Sequence, residues 1–148
     1  LKFIETKNAT TKANLTTDST TVGNYYNSEF TLNRGKFAQY KALSNWFVYN
    51  SEDKKNLVTG SIKKAQSSYS NAILLTTGAT EATNLKNIYD VAGNVWEWTK
   101  EFYNASNPCV VRGGCCINNG SYLPAQSHYY DSTINSSSGI GFRLGLWK

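Results

Sequence analysis

From Asn87 to Thr99 the chain reads NIYDVAGNVWEWT, with an Asp, two Asn, a Gly and a Glu at short spacings between Tyr89, Trp96 and Trp98. This mixture predicts a loop built around a fixed centre. Asp90, Gly93, Val95 and Glu97 stand at i, i+3, i+5 and i+7, a spacing that lets an irregular turn offer two carboxylates and two main-chain carbonyls to one hard cation. Calcium accepts such an all-oxygen shell at roughly 2.3 to 2.6 Å. The same residues also suit a tight turn in which Gly93 takes a positive φ while Val95, Trp96 and Trp98 enter the core. Spacing alone leaves both readings open.

A chain of 148 residues is expected to form one domain and can bury about two-thirds of its unfolded surface. Ten Tyr and four Trp coexist with few charged residues (17%) and many Asn, Ser and Thr. This suits a recognition surface, where Tyr gives rigid contact area and Ser or Asn adaptable hydrogen bonds, and it equally suits a loop-rich fold. The net charge is +5, yet only Lys54-Lys55 and Lys63-Lys64 are adjacent, so no basic stripe is present and no nucleic-acid partner is expected. No apolar run approaches the roughly 18 residues of a membrane span, so no membrane insertion is expected. A start at Leu1 rather than Met suggests a piece of a longer polypeptide.

Cys109, Cys115 and Cys116 are an odd number, against a fully paired disulfide framework. Adjacent cysteines rarely bridge, so the pairing open to this chain is Cys109 with Cys115 or Cys116, and free thiols are the favoured state. Zinc would need a fourth ligand, and the single histidine is His128.

Along the chain, Leu1 to Val22 carries seven Thr and no aromatic residue after Phe3, and reads as a polar, extended or partly disordered lead-in. Residues 23–148 read as the folded domain. Asn45 to Asn50 and Asn71 to Thr77 have the content of short strands, and Lys36 to Ser44 that of one or two helical turns. Thr80 to Asn87 suits a helical turn, with strands at Val95 to Tyr103, Val110 to Gly113 and Gly141 to Trp147. Cys115 to Ile140 is then a loop of 26 residues, and a loop this long in a compact domain is usually functional or disordered. Its Tyr122, Leu123, His128, Tyr129, Tyr130 and Ile134 argue for order.

Together with Arg112-Gly113-Gly114, Gly141-Phe142-Arg143-Leu144 and, more loosely, Gly23-Asn24-Tyr25 and Leu74-Leu75-Thr76-Thr77-Gly78, the loop resembles the formylglycine-generating enzyme (sulfatase-modifying factor) family. The resemblance implies an α+β, C-type-lectin-like fold with short strands and long irregular loops. It also implies a structural calcium at Asp90, Gly93, Val95 and Glu97, with Asp90 where the enzymes have Asn. In those enzymes a reactive cysteine pair lies four and nine residues after the second Gly of the Arg-Gly-Gly motif. Here those positions are Asn118 and Leu123, and neither forms a thiolate. The related iron enzymes need three histidines where this chain has one. Catalysis is therefore not expected.

What remains similar is a non-catalytic branch of phage and bacterial proteins that use the segment between Arg-Gly-Gly and Gly-Phe-Arg as a variable recognition surface. In some of them a diversity-generating retroelement rewrites that segment, and adenine-directed mutation of Asn codons yields residues such as Tyr, Ser, His, Asp and Gly. The positions expected to bind ligand are Cys116, Asn118, Asn119, Ser121, Tyr122, Gln126, His128, Tyr129 and Tyr130. The expected partner is a protein or glycan receptor on a cell surface, with the module displayed on a virion or bacterial surface. A calcium-mediated sugar site is disfavoured because no Glu-Pro-Asn type of triplet occurs. Trp96, Trp98 and Phe142 are expected to be buried, and Arg112 and Arg143 to pair with carboxylates or carbonyls.

Overall fold

Apolar runs in this chain are short and interrupted by Asn, Ser and Gly, and a computed structural model, describing residues 9–32, 40–41, 60–63, 72–132 and 137–144, shows correspondingly short elements. Among the described residues a helix, α1 (Ala9–Thr16), precedes β1 (Glu29–Leu32), β2 (Tyr40–Lys41), β3 (Gly60–Lys63) and β4 (Ile73–Leu74). A 3-10 turn at Glu81–Thr83 leads into β5 (Asn84–Leu85) and β6 (Ile88–Tyr89), followed by β7 (Trp96–Trp98), β8 (Cys109–Arg112), β9 (His128–Asp131) and β10 (Ile140–Gly141). The largest sheet has the order β10-β7-β8-β9, with β10 parallel to β7 and the other pairs antiparallel. In it Trp98 lies opposite Val111 and Val111 opposite Tyr129, while Glu97, Arg112 and His128 form the next row.

The core is organised by polar residues as much as by apolar ones. Tyr25 is fully buried with Leu15 and Ala92, beside Val22 and Ala125. Its phenol donates to the Gly113 carbonyl at 2.8 Å, and burial pushes the hydroxyl's pKa well above the ordinary range. The same carbonyl accepts the Gly93 N–H at 2.8 Å. Beside it lies an amide pair: the Asn24 side chain donates to the Asn94 side-chain oxygen at 2.9 Å and to the Ile73 carbonyl at 2.7 Å. Asn94 in turn accepts from Leu75 N–H and donates to the Leu75 carbonyl, closing a two-bond clamp on that residue's main chain. Gly93 has φ +70°, and a Cβ there would lie 2.4 Å from the Asn24 carbonyl oxygen, so this position requires glycine twice over.

Several expectations change. The polar lead-in over Leu1 to Val22 includes α1, and Leu15, Ser19 and Val22 are buried because Leu15 fills the space against Tyr25 and Ala125. Helical turns expected over Lys36 to Ser44 give way at Tyr40–Lys41 to a strand pairing with Ile73–Leu74. The Asn45 to Asn50 strand lies outside the described residues. The strand expected from Val95 to Tyr103 shrinks to Trp96–Trp98, which leaves Tyr103 in a loop, and the one expected from Gly141 to Trp147 is seen as Ile140–Gly141, with residues 145–147 outside the described residues. The segment expected as one loop from Cys115 to Ile140 carries β9, because His128–Asp131 pair with β8. Trp96 and Trp98 are half-buried rather than buried, and Phe142 is 76% exposed, because β7 has one face near the molecular surface and the chain leaves the sheet after Gly141.

Removing the Asn94 amide leaves the Leu75 N–H and carbonyl and the Asn24 amide short of a partner in the interior, at roughly 1 to 3 kcal/mol for each unsatisfied group. Asn94→Ala is expected to cost at least about 3 kcal/mol, and Ser121→Ala, at an exposed position, no more than about 0.5 kcal/mol. Urea unfolding of the two variants checks this, and near-equal midpoints would refute the clamp's importance.

Candidate ligand-binding site

The site is assembled where a loop meets the β9 edge of the large sheet. Thr99 begins the loop by donating N–H and hydroxyl to the Val110 carbonyl, both at 2.9 Å, and its hydroxyl then accepts the Glu101 N–H. Asn104 turns the loop back by accepting the N–H groups of Ser106 and Asn107 on its side-chain oxygen. Arg112, projecting from β8, grips the Glu101 carboxylate through Nε and Nη2, the latter at 2.6 Å, and donates Nη1 to the Gln126 carbonyl at 3.0 Å. One guanidinium thus joins the loop, β8 and the approach to β9, and its hydrogen bonds hold the Glu101 carboxyl below the usual carboxylate range.

This framing brings four aromatic side chains together. Tyr103 stacks on Tyr130 with ring centroids 4.2 Å apart and planes 3° from parallel. Tyr130 stacks on Tyr129 at 5.1 Å and 5°, and Tyr129 meets Trp96 at 6.5 Å. Such pairs contribute roughly 0.5 to 1.5 kcal/mol beyond area burial and hold the rings in fixed orientations. Despite this packing, Tyr129 remains 58% and Tyr103 48% exposed, and the neighbouring Phe102 is 71% exposed.

The residues expected from sequence divide into two groups. Ser121, Tyr122, Gln126, His128 and Tyr129 are exposed, Tyr122 at 83%, and Tyr130 is half-buried in the stack. Tyr122 shares none of the ring contacts described. Cys116 is buried and cannot meet a ligand, which corrects its assignment: it packs with Ala72 and Leu74. Asn118 and Asn119 face inward to build the turn. Asn118 accepts the Cys115 N–H at 2.8 Å, and Asn119 accepts Ser121 N–H and donates to the Tyr26 hydroxyl at 3.2 Å. Sequence reading missed Phe102, Tyr103 and Trp96 as members of the surface. An aromatic pair between two strands was the available signal, but only the Arg112 to Glu101 pairing shows where it points.

A second cluster lies at Asp90 and Glu97. Arg143 binds both Glu97 oxygens, with Nη2 to Oε1 at 2.6 Å, and donates to the Asp90 carbonyl at 3.2 Å. The Asp90 carboxylate turns to the Gly78 N–H at 3.1 Å and to the Thr83 side chain. Asp90, Val95 and Glu97 line one recess of about 400 Å³, but Gly93 does not, and Arg143 lines it as well. Among the described residues no three of His, Cys, Asp and Glu gather into a metal-type group. In this arrangement the Arg143 guanidinium bonds both Glu97 oxygens, the same oxygens that the calcium reading assigns to the ion.

The sulfatase-modifying factor enzyme 1-like domain matches residues 13–146. The chain belongs to that family. Its C-type-lectin-like fold agrees with the short strands and scarce helix described above, and the match begins within α1, where the buried Leu15 starts the core. No curated protein and no solved structure matches the chain significantly. The domain occurs in enzymes and in non-catalytic proteins, so membership alone leaves activity open.

Two outcomes follow. Because Arg143 already neutralises Glu97, exchanging calcium for a chelator is expected to move the melting temperature of the native chain by less than about 2 °C, below the usual effect of 1 kcal/mol. Arg143→Gln should make the melt calcium-dependent, and a native chain that melts several degrees lower in chelator would show that the ion displaces the guanidinium. Burial also raises the Asp90 pKa. A carboxyl with a raised folded-state pKa stabilises most below its unfolded value, near 3.9, and loses that contribution as pH rises through the folded value. Asp90→Asn is therefore expected to gain stability relative to the native chain between pH 4 and pH 7. A pH-independent difference in urea unfolding would contradict this.

Proposed function

We propose that this chain is a ligand-recognition module and not an enzyme, presenting the surface between the Arg-Gly-Gly and Gly-Phe-Arg motifs to a protein or glycan receptor from a phage or bacterial surface. The observation that carries this reading is the pair of exposed rings Tyr103 and Tyr129, each stacked on the half-buried Tyr130 beside Trp96, with exposed Phe102, Gln126 and His128 close by in the chain. A protein with no use for this face would bury or replace such rings, since leaving a large aromatic side chain in water forgoes roughly 1.5 to 3 kcal/mol. The segment's Tyr, Ser, His and Asn content also supports a place among the variable, retroelement-diversified proteins. A near-copy of the DNA encoding Val111 to Arg143, differing mainly at adenines and lying beside a reverse transcriptase gene, is the genomic observation that tests this branch.

The chemistry of the cysteines supports a non-catalytic role. Asn118 and Leu123 stand where the resemblance places the reactive pair, and Asn118 serves as a turn former. Cys115 and Cys116 are buried, and burial raises the Cys115 thiol pKa, which disfavours the thiolate that cysteine oxidation requires. Calcium enters this proposal as a structural ion at Asp90, Gly93, Val95 and Glu97 only on condition that Arg143 yields Glu97.

Receptor binding should collapse in a Tyr103→Ala, Tyr129→Ala double variant while folding survives. Each exposed ring is expected to cost no more than about 1.5 kcal/mol in stability, the scale of its stacking. Binding to host cells or envelope fractions, read beside a thermal melt, tests this, and undiminished binding would remove the surface from the reading. Incubation with oxygen, copper and a sulfatase-type cysteine peptide should yield no aldehyde, whereas turnover would make the chain an oxidase.

A further inference from the structure

The pairing of β8 with β9 determines which main-chain groups of β9 remain available. Gly113 N–H bonds the Ser127 carbonyl, so Gly113 and Ser127 form a hydrogen-bonded pair of the antiparallel ladder. By the two-residue alternation of such ladders, Val111 with Tyr129 and Cys109 with Asp131 are also bonded pairs. His128 and Tyr130 therefore direct their N–H and C=O groups away from β8. Among the described residues no strand pairs with that outer side of β9, the edge of the sheet. Of the two residues whose main chain faces outward, His128 is exposed and Tyr130 half-buried, so this edge lies at the surface of the described residues.

We propose that β9 accepts an extended segment of a partner polypeptide as a fifth strand, hydrogen-bonded to the main chain of His128 and Tyr130. This rests on the recognition-surface reading and names the chemistry of its partner. Main-chain groups would supply affinity, and the tyrosines Tyr103, Tyr129 and Tyr130 would select side chains on the added strand. Two observations favour a polypeptide over a glycan. The outward donors and acceptors of His128 and Tyr130, which no strand among the described residues pairs, have the repeat of a peptide backbone, and the tyrosines already give part of their ring faces to one another, whereas a sugar stacks on an open face. Charge adds a constraint: Arg112, opposite His128 in the ladder, is neutralised by Glu101, so the edge favours a segment without net charge.

The test uses the whole chain with two probes, a displayed library of random linear peptides and a glycan array. Strand addition expects enriched peptides of low net charge whose binding slows hydrogen exchange at the His128 and Tyr130 amides at least tenfold. N-methylating alternate peptide amides, one register at a time, should weaken binding at least tenfold in one register and little in the other. Peptides that bind without protecting those amides would overturn the proposal, as would a dimer of this chain already protecting them without peptide. Binding of glycans alone, lost in the Tyr103→Ala, Tyr129→Ala variant, would overturn strand addition while leaving the recognition surface intact. Binding of neither probe class would count against both.

Discussion

Everything else in this fold depends on the buried amide pair of Asn24 and Asn94. Asn94 clamps the main chain of Leu75, its own main-chain N–H bonds the Asn24 carbonyl, and its carbonyl accepts the Cys116 N–H. With Gly93 bonded to Gly113, four segments distant in sequence meet within a few hydrogen bonds. A fold with strands of two to four residues cannot rely on long ladders, so side-chain amides replace them. Each such bond contributes only about 1 kcal/mol net, but a missing partner in the interior costs more, which makes the arrangement intolerant of error. No buried side-chain nitrogen or oxygen among the described residues lacks a partner.

The two motif arginines act on geometry more than on stability. Arg112 with Glu101 and Arg143 with Glu97 are both partly exposed ion pairs, and exposed pairs of this type contribute little, typically below about 1 kcal/mol. Their forked hydrogen bonds do fix orientation. Arg112 sets where the loop after Thr99 lies and so brings Tyr103 onto Tyr130. Arg143 ties the chain after β10 to the loop at Asp90 and sets a positive charge against Glu97.

The proposed recognition surface and the core are separated in space though interleaved in sequence. Between Cys115 and Tyr130, Cys116, Asn118 and Asn119 turn inward, whereas Ser121, Tyr122, Gln126, His128 and Tyr129 turn outward. Substitution at the outward positions leaves the clamp on Leu75 untouched, so this surface can vary without unfolding its support. The inward Asn118, which the resemblance sets where the cysteine-dependent enzymes carry a reactive cysteine, accepts the Cys115 N–H, and an amide cannot be oxidised as a thiol.

The sequence alone sufficed for the family-type motifs, the strand at Val110 to Gly113 and the pairing of both arginines with carboxylates, because these follow from local composition and from the cost of leaving a guanidinium unpaired; it did not reveal β9, which lies inside the segment read as one loop. It also pointed to Gly93 as a positive-φ position, since a short polar loop that must close tightly has few residues able to do so. It failed where tertiary contacts override local pattern. Seven Thr in the first 22 residues hide Leu15, which enters the core. Nothing in its apolar character reveals that Phe142 leaves the sheet for solvent, or that Asp90 faces Gly78 and Thr83 while Glu97 faces Arg143. The joining of Tyr103 to Tyr129 and Tyr130 was decided by tertiary structure, because that contact arises from a loop held by Arg112 across a strand, and such a distance in space has no counterpart in spacing along the chain.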